Sequence, residues 1–127
     1  MHDKHLFEYA VIRLVPSVER EEFLNVGVIL YCQGRDLLKV DYVLNEERLR
    51  AFSTSLPAAE IEQHLAAFER ISKGGDDAGP IGKLPIGARF RWLTAPRSTI
   101  VQTSPVHTGL CDDPEGKLQQ LMAKMVR

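Results

Sequence analysis

The sequence predicts an α+β domain that spans residues 1–127, with an antiparallel sheet of three to four strands covered by two main helices. Three observations predict this class. Apolar segments separated by turns open the chain as a meander, a short apolar segment near residue 100 adds a later strand, and two segments carry apolar residues at helical spacing. A chain of 127 residues with 44% hydrophobic and 26% charged residues suits one globular domain.

The predicted meander occupies the first third of the chain. Residues 9–30 (YAVIRLVPSVEREEFLNVGVIL) read as two apolar strands joined by an acidic turn, and residues 37–43 form the third strand. The first strand is apolar on both faces, which is typical of a central strand. Arg13 interrupts this strand, and Asn25 and Gly27, which period-two alternation places on one face, leave a gap in the second strand.

The helices follow from capping residues and apolar spacing. Asn45 is a good N-cap for a short helix over residues 46–53, and Pro57 opens a helix over residues 57–72. The last helix is predicted over residues 114–126. We expect the two longer helices to cover one face of the sheet.

Three segments lie between the two longer helices. Residues 73–82 are rich in Gly and Asp, so they are predicted to form a mobile loop within the domain. A short element near residues 88–93 is either a helix or a strand. Residues 99–103 are predicted as the later strand of the sheet.

Charge is distributed unevenly, although the formal net charge is only -1. Residues 1–77 carry 14 acids and 9 bases, a net charge of -5, whereas residues 78–111 carry four bases and no acid, a net charge of +4. The near-neutral total argues against a protein that coats nucleic acid, so nucleic acid is not the expected partner. The basic stretch is the first clue to a binding site.

The basic segment, residues 83–107, could bind a phosphate or carboxylate, because Arg offers forked donors and Ser and Thr add hydroxyls. Three interpretations remain open: packing within the fold, a small phosphorylated or nucleotide ligand, and single-stranded nucleic acid held by Arg and aromatic residues. If the later strand pairs beside the first, Arg97 and His107 approach Arg13 and Asn25. The candidate ligand-binding residues are Arg13, Asn25, Gly27, Arg89, Arg91, Arg97, Ser98, Gln102 and His107.

Catalytic chemistry has little support in the sequence. His107 has serine and aspartate neighbours, but no nucleophile elbow of the GxSxG type is present, and no spacing matches a metal site. We therefore predict no catalytic residue, no metal and no cofactor. Cys32 and Cys111 are interpreted as reduced packing residues. The chain lacks an apolar run of roughly 20 residues and a secretory leader, so we expect a cytoplasmic protein without a membrane partner.

Two motifs carry a family resemblance. Residues 9–30 together with residues 90–114 (FRWLTAPRSTIVQTSPVHTGLCDDP) closely resemble the bacterial family of domain of unknown function 3037, over nearly the whole chain. The resemblance transfers no catalytic residue, but it implies a partner or regulator role beside a HipA-like kinase. We accordingly expect a non-catalytic accessory or interaction module. The alternatives are a phosphate- or nucleotide-binding domain and a single-stranded nucleic-acid-binding protein.

Overall fold

A computed structural model describes residues 4–16, 22–97 and 99–127 of the chain. The elements in chain order are β1 (His5–Leu14), β2 (Leu24–Cys32), β3 (Leu37–Tyr42), α1 (Glu46–Phe52), α2 (Ala58–Lys73), α3 (Ile86–Leu93), β4 (Val101–Thr103), β5 (His107–Cys111) and α4 (Pro114–Met125). The described residues thus form an α+β fold, as predicted. They contain five strands, where the sequence indicated three to four, and four α-helices. Beside the two main helices, α1 matches the short helix expected over residues 46–53, and the short element expected near residues 88–93 is the helix α3.

The strands form one antiparallel sheet with β1 at its centre. The order is β3, β2, β1, and then both β4 and β5 lie along the free side of β1. β4 pairs with the C-terminal half of β1, where Leu14 faces Val101, and β5 pairs with the N-terminal half, where Tyr9 faces His107. The apolar character of β1 on both faces therefore matches its central position.

A bulge at Ser104 separates β4 from β5. Three residues, 104–106, lie opposite two residues of β1, so the edge carries one extra residue there. The Ser104 N–H donates to the Val11 carbonyl at 2.8 Å, and the Val11 N–H donates to the buried Ser104 Oγ at 2.9 Å. The Ser104 hydroxyl oxygen thus takes the place of a backbone carbonyl and accepts the hydrogen bond of the buried Val11 N–H.

The helices pack on both faces of the sheet. On the α2 face, Ile12, Leu14, Ile29 and Val40 form a core with α1, α2 and α3, and Phe68 and Phe90 are fully buried in it. On the α4 face, Phe7, Val28, Leu30 and Cys32 pack against Leu118, Leu121 and Met122 of α4. The expectation that both longer helices cover one face is therefore wrong. Because β1 and β2 are apolar on both faces, each face requires its own cover.

A second bulge lies in β2. Ile12 faces Gly27 and Arg13 faces Asn25, so Val26 is an extra residue. The Asn25 side chain lies on the α4 face, where Nδ2 donates to the Met125 carbonyl at 3.1 Å. Gly27 lies on the α2 face against Ile12. The prediction that Asn25 and Gly27 share a face is wrong, because the extra residue reverses the alternation between them.

The Gly/Asp-rich loop forms short turns. Asp76–Ala78 and Ile81–Lys83 are single 3-10 turns, and the Gly75 N–H donates to the Gly82 carbonyl at 3.2 Å. Gly74, Gly75 and Gly79 have positive φ angles, which these turns require. The mobility of the loop stays a prediction.

Candidate functional site

Arg89 completes the C-terminal end of α2. Its Nη1 donates to the carbonyls of Ile71 at 2.9 Å and Ser72 at 2.8 Å, and its Nε donates to the Leu84 carbonyl at 3.1 Å. The last carbonyls of a helix have no partner within the helix, and a positive charge there also complements the helix dipole. Arg89 therefore joins α2 to α3 through contacts within the fold.

Arg97 has the same kind of role at the end of α3. Its guanidinium donates to the carbonyls of Trp92 at 2.6 Å, Leu93 at 2.8 Å and Ala95 at 3.2 Å. It also lies 4.5 Å from the centre of the Trp92 ring and 5.2 Å from that of Phe68. Burial lowers the pKa of Arg97 from its usual value, and burial together with Arg97 lowers the pKa of the neighbouring His64.

Arg91 forms an ion pair at the surface. Its Nη2 lies 2.9 Å from Glu8 Oε1 and 3.1 Å from Oε2, and the arginine side chain is largely exposed. Arg89 therefore contacts the end of α2, Arg91 contacts Glu8 of β1, and Arg97 contacts the end of α3. They do not converge on one anion site.

Three predicted residues do come together, on the α4 face. Arg13 lies opposite Asn25 of β2 and Gln102 of β4, so their side chains form one row across three strands. The Arg13 guanidinium lies 4.0 Å from the centre of the Phe23 ring, and Gln102 Nε2 donates to the Thr99 carbonyl at 2.9 Å. Burial lowers the pKa of Arg13. This row is called the Arg13 row.

Two atoms of the Arg13 row have no hydrogen-bond partner. Arg13 Nε and Asn25 Oδ1 are both buried, one as a donor and the other as an acceptor, on residues that face each other in the register. Buried polar atoms are rarely left unpaired in folded proteins. This pair is therefore the strongest indication of a small polar ligand among the predicted site residues.

The remaining predicted residues lie elsewhere. Arg97 packs on Phe68, on the α2 face, so the expected approach of Arg97 to Arg13 is wrong: the two side chains lie on opposite sides of the sheet. His107 is exposed and its ring lies 5.2 Å from that of Tyr9, four residues or about 13 Å along β1 from Arg13. Ser98 lies outside the described residues.

Gly27 also has no room for a ligand. A Cβ atom at this position would lie 2.6 Å from the Asp41 carbonyl oxygen, 2.9 Å from Tyr42 Cβ and 3.0 Å from Ile12 Cδ1. The close approach of the neighbouring strand β3 requires a glycine here. The space that the sequence suggested for a ligand is occupied by the protein's own backbone.

Sequence reasoning missed an apolar pair at the edge of the sheet. Leu6 of β1 and Leu110 of β5 face each other across the two strands, and they are 62% and 63% exposed. Both point to the α2 face, at the end of the sheet where Glu8 meets Arg91. The outer side of residues 107–111, together with this leucine pair, is called the β5 edge.

A groove lies beside Leu6, on the side of β1 that faces β2. It has a volume of about 540 Å³ and is lined by Lys4, His5, Leu6, Glu8, Tyr31, Gln33 and Gly34. Its lining therefore combines an exposed leucine with charged and amide groups.

The described part of the chain offers no site for a metal ion. Residues 4–16, 22–97 and 99–127 contain no group of three or more His, Cys, Asp or Glu side chains that could hold a metal ion. Cys32 and Cys111 are free and buried, and burial, with a smaller effect of Cys32, raises the pKa of Cys111. None of the described helices is both long enough and apolar enough to cross a membrane.

Comparison with known families identifies the family of this chain. A family model described as "Protein of unknown function (DUF3037)" matches residues 9–126, nearly the whole chain. Neither the curated proteins nor the solved structures contain a match. The match confirms the resemblance carried by residues 9–30 and 90–114.

Proposed function

Because the chain belongs to the DUF3037 family of proteins of unknown function, we propose a role from its surface: a non-catalytic interaction module that binds a partner protein at the β5 edge. The observation that carries this proposal is the exposed pair formed by Leu6 of β1 and Leu110 of the edge strand β5. Arg89, Arg91 and Arg97 have partners within the fold. The leucine pair, in contrast, exposes apolar surface that contributes little to the core.

Strand addition is the binding mode that this surface favours. An edge strand presents unpaired N–H and C=O groups, and an extended segment of another protein can pair with them. Backbone hydrogen bonds then provide affinity, whereas side chains that contact the neighbouring surface provide specificity. Leu110 would contact the apolar side chains of such a segment directly, and Leu6 lies behind it in the same row.

The partner that we propose is a HipA-like kinase, the class that the family resemblance implies. The chain would act as its accessory or regulatory subunit. A regulator of this kind requires a surface that discriminates between partners and no reactive group of its own. In support of such a role, the β5 edge offers an apolar pair bordered by the Glu8–Arg91 and Lys4–Asp112 ion pairs.

Co-expression with a HipA-like kinase tests the proposal. We expect the wild-type chain to co-elute with the kinase in a stoichiometric complex. The double variant Leu6→Ser, Leu110→Ser should lose at least about tenfold in affinity by titration calorimetry, because apolar contacts at the centre of an interface carry much of the binding energy. Leu84→Ser, at an exposed leucine in another part of the surface, serves as the matched control. Equal affinity of the double variant and the wild type would contradict the proposed surface.

A second candidate function is the binding of a small anion or nucleotide at the Arg13 row. The unpaired Arg13 Nε and Asn25 Oδ1 favour it, because a ligand with both an acceptor and a donor would satisfy the two atoms. Gln102, in the same row, adds an amide group near the same site. Of the three residues of this candidate site, only Gln102 belongs to the basic segment, residues 83–107.

Thermal denaturation with nucleotides and phosphorylated metabolites tests the second candidate. A ligand at 100 times its dissociation constant should stabilise the fold by about 2.7 kcal/mol. Arg13→Met should abolish the stabilisation, whereas Lys83→Met, which removes an exposed charge of the basic segment, should not. Stabilisation that disappears in the Lys83 variant and persists in the Arg13 variant would contradict this location.

A further inference from the structure

The two edges of the sheet differ in their protection. The β3 edge carries two charged residues in ion pairs: Lys39 lies 3.3 Å from Glu115, at the start of α4, and Asp41 lies 3.9 Å from Arg127. Charged residues of this kind discourage edge-to-edge pairing. β5, with the sequence HTGLC, has no Lys, Arg, Asp, Glu or Pro. Among the described residues, β5 pairs with β1 alone, so its outer backbone groups are available.

We infer that, when no other protein occupies it, the β5 edge pairs antiparallel with the β5 edge of a second copy of this chain. Two five-stranded sheets would then join into one continuous sheet of ten strands. This inference rests on the proposed function, because it uses the same edge as the site of strand addition. It specifies what covers that edge in the absence of a kinase.

The leucine pair is complementary to itself in this arrangement. A two-fold axis through the pair of β5 strands keeps Leu110 of both copies on the same face of the joined sheet. Facing residues on antiparallel strands lie about 5 Å apart, so the row Leu6–Leu110 of one copy continues into the row Leu110–Leu6 of the other. Four leucines that are exposed in single chains would cover each other.

Charge favours the antiparallel direction over the parallel one. β5 is followed directly by Asp112 and Asp113, both exposed, and it begins at the exposed His107. Antiparallel pairing brings the acidic end of one copy beside the His107 end of the other. Parallel pairing would place the two acidic ends side by side, where like charges repel each other. The net charge of -1 adds little repulsion between whole chains.

Self-pairing and partner binding would then exclude each other. Strand addition by a kinase segment requires the same outer N–H and C=O groups that the second copy uses. A free chain would be a dimer, and its complex with the kinase would contain the chain as a monomer. Because the dimer must dissociate before the kinase can bind, dimer formation would lower the apparent affinity for the kinase as the chain concentration rises.

Sedimentation velocity over a concentration series tests the inference on the full chain. We expect a dimer for the wild type and for the control Leu84→Lys, and a shift toward monomer for Leu110→Lys. The Leu110→Lys change should raise the dimer dissociation constant by about tenfold or more, because it places two ammonium groups together at the two-fold axis. A wild-type chain that stays monomeric up to millimolar concentration would overturn the inference, as would a Leu110→Lys variant that dimerises like the wild type.

Disulfide cross-linking gives a second readout that does not depend on the folding of the lysine variant. Leu110→Cys should form a covalent dimer under mild oxidation, whereas Leu84→Cys should not, since both native cysteines are buried. Cross-linking of both variants to the same extent would contradict the inference. A monomeric chain that still binds a kinase through Leu6 and Leu110 would refute self-pairing and leave the proposed function intact. A dimer that binds no kinase would refute the proposed partner and leave self-pairing intact.

Discussion

Replacing Arg97 with alanine is expected to lower the free energy of unfolding by about 3 kcal/mol, measured by urea denaturation. The change removes donors from the carbonyls of Trp92, Leu93 and Ala95 and removes a cation from the Trp92 and Phe68 rings. Arg97→Lys should recover only part of the loss, because one ammonium group cannot reproduce the fork of the guanidinium.

Arg91→Ala is the matched comparison for Arg97. Arg91 forms a largely exposed ion pair with Glu8, so its loss should cost less than about 1 kcal/mol. The difference between the two variants distinguishes a residue that holds the end of a helix from one that lies at the surface. Equal and small losses for both variants would show that the Arg97 contacts do not stabilise the fold, and a ligand-binding role for Arg97 would regain support.

Gly27→Val should also destabilise the fold by about 3 kcal/mol, because overpacking forces backbone and side chains apart. The new Cβ would meet the Asp41 carbonyl oxygen at 2.6 Å, an atom of the backbone of β3 that cannot rotate away. Urea denaturation measures the loss. The control is Gly34→Ala, where a Cβ meets no atom closer than 3.8 Å. Similar stability of the two variants would contradict the close strand approach at Gly27.

Amphipathic patterns were sufficient to predict much of the fold. The meander, the Asn45 cap and the helices that became α2 and α4 carry their signal in local sequence, and the Arg48 N–H indeed donates to Asn45 Oδ1 at 3.1 Å. β5 carries no such signal. Its residues alternate without a clear apolar face, and its extended form comes from pairing with β1, which is distant in sequence.

The distribution of helices and site residues depends on features that periodicity does not encode. The extra residue at Val26 moves Gly27 to the other face, and only the pairing register reveals it. The basic segment was correctly recognised as unusual in charge. The partners of its arginines were not predictable, because Arg89 and Arg97 donate to backbone carbonyls at helix ends. Every residue has a backbone carbonyl, so no residue type in the sequence marks these acceptors.

The same limitation explains why the β5 edge was missed. Leu110 and Leu6 look like ordinary apolar residues until the sheet shows that β5 is an edge strand and that both side chains are largely exposed. An exposed apolar residue becomes informative only when it belongs to a continuous patch. The pairing of these two leucines across β1 and β5 supplies that continuity.

Hydrogen exchange with and without a HipA-like kinase tests the proposed interface most directly, at a chain concentration low enough for the free chain to be a monomer. We expect exchange to slow at residues 107–111, because the outward N–H groups of β5 gain acceptors from the added strand. Leu6 and its neighbours in β1 should show a smaller effect. Unchanged exchange at residues 107–111, with slowing at the Arg13 row instead, would contradict the interface at the β5 edge.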